Sequence, residues 1–395
     1  MTTQSSIDTS TTGRHIPALD GIRGVAILLV LVVHLFGFNT NYNGGFAGRL
    51  LARTTDAGWV GVDLFFALSG FLITGILYDT VQSKHYFKNF YVRRSLRISP
   101  LYYGFICFGI LVVTLIGYQW FGRSLLIHLT YTQNLLSAGP VSTANWFNLV
   151  PFWSLAIEEH FYLFWPSAIY LLRSKKRIVT CALILAAISI GVRFWLFFSG
   201  KAAASPYLPY DWTPARLDTL LFGAVLAMLV RSQYRDRVLR LAPTLACLGF
   251  VMLVLYGVHA KGIHHVGDPG MSTIGYSVVG IVACAVIASA LRPESLAQRT
   301  FSVSVLRFFG TYSYGLYVFH FTVARLLELR FRPLLREHVS NALAIVGTGV
   351  LTMAISVVVA MLSFHFFEKP ILSLKRHFQD DSPVPKLRKR LSFRG

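Results

Sequence analysis

The chain has 395 residues, 54% of them hydrophobic and only 14% charged, with a mean hydropathy of +0.56. Soluble domains average about 25% charge, so a disordered or ordinary cytosolic protein is excluded and a polytopic membrane protein is expected. The formal net charge is nevertheless +20, from 37 Lys and Arg against 17 Asp and Glu. Nucleic-acid binders share such a balance, so the placement of the charges has to decide.

Met1–Thr12 is polar, Ser/Thr-rich and without a basic n-region, and no small-residue cleavage site follows the first apolar run. A removed signal peptide is therefore not expected. Residues 1–15 read as a polar cytoplasmic segment, 16–372 as a membrane domain and 373–395 as a basic cytoplasmic tail. A helix needs about 20 mostly apolar residues to cross a bilayer. Ten stretches qualify: 17–38, 58–79, 98–118, 152–172, 178–198, 214–231, 240–258, 273–291, 310–328 and 342–366. The expected fold is an all-α bundle of about ten transmembrane helices. The stretch 123–137 is short and punctuated by polar residues, as in an interfacial or re-entrant segment.

With the N-terminus in the cytoplasm, 26 Lys and Arg fall on the inner side and 8 outside, and Arg193, Arg216 and Arg325 fall within spans. Cytoplasmic loops are enriched in Lys and Arg, so this orientation is expected, with both termini inside. The positive charge is then mostly topological. The tail residues Lys386, Arg388, Lys389 and Arg390 read as an anchor for anionic lipid, and no nucleic-acid partner is expected. Cys107, Cys181, Cys247 and Cys284 lie in apolar stretches with no redox or metal-ligand spacing. No metal site is expected.

Ionisable groups inside a bilayer cost roughly 2.5–3.5 kcal/mol each on insertion scales, which makes each a functional candidate. In span one, Arg23 and His34 are eleven residues apart. At 100° per residue both face the same way, about 16 Å apart along the helix. Asp20 is placed to pair with Arg23. A neutral imidazole is a suitable general base near neutral pH, so His34 and Arg23 are candidate catalytic residues. Span two carries Asp63, which either orients a cavity histidine or caps the helix. Its Gly61, Ser69 and Gly70 favour close helix approach, and Ser69 lacks a nucleophile-elbow setting.

At the mouth of span three, Arg94 and Arg97 are i,i+3 and form one cationic face beside Arg93. Arginine forks suit phosphate, and Arg23 lies on the same side. The 16 Å offset to His34 matches an extended pantetheine arm, so the expected donor is acyl-CoA, bound as substrate by Arg93, Arg94, Arg97 and Arg23. An anionic lipid head group has the same chemistry. In span four the adjacent Glu158 and Glu159 point about 100° apart, and Glu158 is the one expected to enter the cavity and a third candidate catalytic residue. Arg216 and Asp218 in span six either shape the cavity's external side or form a structural salt bridge. Tyr312, Tyr314, Tyr317 and His320 read as hydrogen-bonded packing and cavity lining. Asp63, Arg216, Asp218 and His320 are the candidate substrate-binding residues. Pro370 is expected to stop the last helix, with Glu368 paired to a basic loop.

Several ordered motifs carry a resemblance: IPALDGIRGVAILLVLVVH, GVDLFFALSGFLI, FYVRRSLRISPLYY, FWSLAIEEHFYLFWP, RLDTLLFGAVLA, SYGLYVFH and FFEKPIL. From about Ile16 to Leu374 the chain resembles the acyltransferase-3 family of integral-membrane O-acyltransferases. The resemblance implies ten spans in a bacterial-type inner membrane. It also implies transfer of an acyl group, often acetyl, to a hydroxyl of a surface carbohydrate or a small molecule. The family's Arg-x10-His falls on Arg23 and His34, and its Arg-x-x-Arg on Arg94 and Arg97. Position 160 is His where the family usually has Gln. Some relatives carry a C-terminal esterase-like domain, whereas this chain ends soon after span ten. Transfer within the membrane domain, or with separate surface-glycan assembly proteins, is therefore expected. Ten spans with buried charge also fit a secondary transporter or a flippase-like subunit. The inverted repeats and broken helices common in transporters are not visible.

Overall fold

The computed structural model describes residues 16–36, 53–136, 142–144, 146–260, 262–264 and 266–378. The expected polar segment 1–15 and the tail from 379 onward, with its KLRKR run, lie outside the described residues. Among the described residues there is no β-strand, only an isolated bridge between Trp120 and Ser142.

The first helices are α1 (Pro17–Phe36), α2 (Val60–Thr80) and α3 (Tyr86–Leu115). A short α4 (Gly122–Leu129) falls in the stretch expected to be interfacial. Next come α5 (Trp153–Leu172), α6 (Lys175–Phe198), α7 (Thr213–Leu229) and α8 (Arg235–His259). The last are α9 (Tyr276–Leu291), α10 (Ser304–Arg336) and α11 (Asn341–Ser363). Apart from α4, each of these overlaps one of the ten expected spans.

Seven of the helical stretches are long and apolar enough to cross a membrane. The stretches containing α5, α7 and α10 fall short for a physical reason. Helix α7 has 17 residues and carries Arg216 and Asp218. Helix α5 carries Glu158, Glu159 and His160, and α10 carries five arginines.

The bundle has an inner and an outer set. Helices α1, α2, α7, α9 and α10 pack on one another through one continuous core. Helix α8 packs on α9, yet only 11% of its apolar window is buried in the protein. A helix apolar all round with so little protein cover presents its surface to lipid. The chain is a multi-pass membrane protein.

Helices α1 and α10 approach backbone to backbone. A Cβ at Gly24 would lie 1.9 Å from the Leu306 carbonyl oxygen, and one at Gly310 would lie 1.9 Å from that of Asp20. Only glycine lets these backbones meet.

Two boundaries differ from expectation. Helix α3 starts at Tyr86, well before residue 98, so the whole Arg93–Arg97 run is helical. At the other end, Pro370 does not stop the last helix. A π-turn (Phe364–Glu368) follows α11, then a helical turn (Lys369–Ser373) and a 3-10 turn (Leu374–His377). Pro370 sits in the first turn of a helical segment, where its missing N–H is not needed. Glu368 is buried and accepts a hydrogen bond from Ser363 Oγ at 3.1 Å. Among the described residues no basic loop is paired with it, although the charge of Arg97 acts on it. The first residues of the expected tail therefore pack on the protein.

Candidate functional site: an arginine-lined membrane cavity beside a histidine pair

Helices α1, α2, α3, α5 and α10 line a cavity of about 110 Å³ that opens at its mouth. Arg23, Arg94 and Arg97 all line it, and so does Glu158. The helical i,i+3 spacing turns Arg94 and Arg97 to the same side, and α1 supplies Arg23 from across the gap. Asp20 holds Arg23 through an ion pair at 2.9 Å. Arg23 lies in the field of Arg97 and Arg94. Arg93 is exposed and does not line the cavity, because one residue is a 100° step around the helix.

Glu158 lies within the fields of Arg94 and Arg23. Ser69 Oγ donates to its Oε1 at 2.7 Å and Tyr162 OH to its Oε2 at 2.9 Å. Both donors line the cavity. The Arg94 guanidinium lies 5.1 Å from the centre of the Tyr162 ring. Glu159 does not line the cavity, in keeping with its different helical direction. Ser154 and Tyr317 also line it, with their hydroxyls 2.9 Å apart, and Tyr317 donates to the Pro151 carbonyl.

His34 is not part of this lining. It meets His320, one turn beyond Tyr317 on α10, with His34 Nδ1 3.2 Å from His320 Nε2. His320 Nδ1 faces the carbonyls of Leu316 and Tyr317, each at 2.9 Å. A carbonyl only accepts, so the ring proton is assigned to Nδ1 and the neutral ring accepts at Nε2. His34 Nδ1 faces that acceptor and also the Val30 carbonyl at 2.9 Å. By the same logic Nδ1 of His34 carries its proton, and its basic lone pair lies on Nε2.

Asp63, Arg216 and Asp218 are brought together elsewhere, and none lines the cavity. Arg216 pairs with Asp63 at 2.9 Å, and Arg193 with Asp218 at 2.8 Å, all with no exposed side-chain surface. Thr219 donates to Asp63 at 3.1 Å, and Ser277 donates to Asp218. The Arg216 guanidinium lies 4.3 Å from the Tyr276 ring centre. This buried network ties α2, α6, α7 and α9 together. It answers to the structural salt bridge rather than to a cavity wall. Arg193 was the missing partner. Its place inside a span was the one sequence signal for it.

Sequence reasoning missed Tyr162 as a cavity residue and underrated Ser69. Tyr162 is four residues after Glu158, one helical turn, which is the signal that was available. No periodicity points to Ser69, because its partner lies on another helix.

A family model described as an acyltransferase domain, Acyl_transf_3, matches residues 16–361. The peptidoglycan O-acetyltransferase OatA of Listeria monocytogenes is 28% identical over 91% of this chain and 56% of its own length. The putative peptidoglycan O-acetyltransferase YrhL of Bacillus subtilis is 29% identical over 91% and 55%. A putative O-acetyltransferase of Staphylococcus aureus strain COL is 27% identical over 90% and 57%. The chain spans a little over half the length of these curated relatives. No solved structure matches it. The motif order in the sequence, the all-helical bundle and a family match over most of the chain agree: this chain belongs to the Acyl_transf_3 acyltransferase family.

Proposed function

We propose that this chain is an inner-membrane O-acyltransferase that moves an acyl group, acetyl in the first instance, from acyl-CoA to a carbohydrate hydroxyl. Peptidoglycan is the acceptor that the names of two relatives point to. The observation that carries the reading is the convergence of Arg23, Arg94 and Arg97 on one cavity that Glu158 also lines. A polyphosphate needs several guanidinium donors. A thioester entering behind it then reaches a wall of oriented hydroxyls. In this reading the chain crosses ten times with both termini in the cytoplasm, and this mouth faces the side where acyl-CoA is found.

In this reading the donor's phosphates rest on Arg94, Arg97 and Arg23, and its arm extends inward. His34 Nε2 takes the proton of the acceptor hydroxyl as the new C–O bond forms at the thioester carbon. The C–S bond breaks, and the coenzyme leaves as a thiolate that is reprotonated. His320 accepts from Nδ1–H of the resulting imidazolium and stabilises it. Glu158 orients Ser69 and Tyr162 along the cavity wall. His320 supports the base in place of contacting the acceptor.

The test is mass spectrometry of surface glycans and small metabolites from deletion and complemented strains, read with labelled acetyl-CoA in liposomes holding the purified chain. An acyl mass gained on one hydroxyl and lost on deletion is expected. Net flux of a sugar or ion without consumption of acyl-CoA would replace this reading with a transporter.

A further inference from the structure

Beyond the three arginines of the cavity, a further cation that no motif contains lies beside the arginine-bearing helix. The 3-10 turn Leu374–His377 packs against α3, the helix that carries Arg93, Arg94 and Arg97. Lys375 in this turn is half-buried. The charges acting on it are those of Arg97, Arg94 and Arg93, all of its own sign. Among the described residues, no ion pair holds Lys375, Arg97 or Arg93. Like charges held together at a protein surface repel and destabilise the fold. A cluster of this kind is favourable once an anion sits between its members.

The position within the cluster says which anion. Arg23, Arg94 and Arg97 line the cavity, whereas Arg93 and Lys375 do not. The cations that line the cavity are here the inner set, and Arg93 and Lys375, beside the lining, are the outer set. Acyl-CoA has a matching order of charge. Its diphosphate lies next to the pantetheine arm, and its 3′-phosphate lies farther out, on the ribose. With the arm directed inward, the diphosphate falls at the inner set and the 3′-phosphate at the outer set.

We propose that Lys375, carried by the turn that follows the last long helix, binds the 3′-phosphate of the acyl-CoA donor together with Arg93. This rests on the acyl-CoA reading above. It makes the packed C-terminal turn part of the donor site. An anionic lipid head group offers the same phosphate chemistry, so the experiment must separate the two.

The full chain is reconstituted in nanodiscs of neutral phosphatidylcholine, and binding of acetyl-CoA and of 3′-dephospho-acetyl-CoA is measured by calorimetry. Removing one charge-assisted contact lowers affinity about tenfold. Lys375→Ala is expected to weaken acetyl-CoA by about that factor while leaving the dephospho donor unchanged. Lys375→Arg is expected to retain most of the affinity, which reports that the turn still folds. Equal losses for both donors, or none for either, overturn the assignment while leaving the arginine site standing. A Lys375→Ala effect seen only in nanodiscs containing phosphatidylglycerol assigns the residue to lipid instead. Wild-type protein that binds neither donor overturns both this inference and the acyl-CoA reading.

Discussion

His34 and His320 face each other from two helices, with His34 Nδ1 3.2 Å from His320 Nε2. Their rings are 4.9 Å apart, centre to centre. The meeting depends on the α1–α10 crossing, which the glycines at 24 and 310 make close enough. It gives a histidine 286 positions along the chain a direct part in setting the tautomer of the candidate base.

If His320 stabilises the imidazolium of His34, its loss should act on turnover. His320→Leu is expected to lower kcat of acyl transfer about 10- to 100-fold, at the usual scale for a supporting acid–base group, with KM for acyl-CoA little changed. His320→Gln restores an acceptor near Nε2 and should recover part of the rate. Nitrogen-15 NMR of histidine-labelled protein reads the tautomer directly. A His34 ring protonated at Nε2 in the wild type, with Nδ1 bare, would falsify the assignment.

The cavity arginines should act on donor binding. Arg94→Glu and Arg97→Glu each replace a phosphate contact with repulsion. Each is expected to raise KM for acyl-CoA at least tenfold, since a hydrogen bond to a charged group contributes about 1.5–3 kcal/mol. Steady-state kinetics at matched protein abundance checks this. Unchanged KM in both variants would remove the phosphate from this mouth.

Glu158 offers a separate handle. Glu158→Gln keeps the shape but weakens its hold on Ser69 and Tyr162 by removing the charge. The expected result is a kcat lowered by about 10-fold or more, because each charge-assisted bond is roughly twice as strong as a neutral one. Ser69→Ala alone should cost less, since Tyr162 still donates. Full activity in the Glu158→Gln protein means the carboxylate has no part in transfer.

The buried ion pairs predict stability effects away from the chemistry. Asp63→Ala leaves Arg216 charged and uncompensated with no exposed surface. The expected loss is about 3–5 kcal/mol, seen as a lower melting temperature in detergent. Replacing both partners by apolar residues of similar size should cost much less. Equal melting of Asp63→Ala and wild type would show that the pair contributes nothing to the fold.

The α1–α10 crossing can be tested by volume. Gly24→Val places a branched side chain where the Leu306 carbonyl already lies. Overpacking costs typically about 1–3 kcal/mol, and more where the obstacle is backbone. The two histidines should separate along with the helices. Lower melting temperature together with lost acyl transfer is expected, whereas a Gly24→Val protein that is stable and active contradicts this contact.

Much of the site was legible because it is local. Arg94 and Arg97 are one turn apart on a single helix, as are Asp20 and Arg23, so helical geometry alone predicts their shared faces. Glu158 was separable from Glu159 by angle. The assignment of Asp63, Arg216 and Asp218 to substrate was the weakest reading, because it depends on which helices are neighbours. The Arg193–Asp218 and Arg216–Asp63 pairs join residues that are 25 and 153 positions apart. No spacing rule distinguishes such a pair from two cavity walls.

The sequence by itself determined the membrane class, the helical bundle, the ordered family motifs and the cationic face of α3. All of these follow from composition and from periodicities within one helix. Only the tertiary structure decided that the arginines share a cavity with Ser69, Glu158 and Tyr162, that His34 meets His320, and that the turn after Pro370 folds back on α3. Those are contacts between helices. They are set by which faces approach closely, through glycine at one crossing and ion pairs at another. A one-dimensional pattern carries the faces but not their partners.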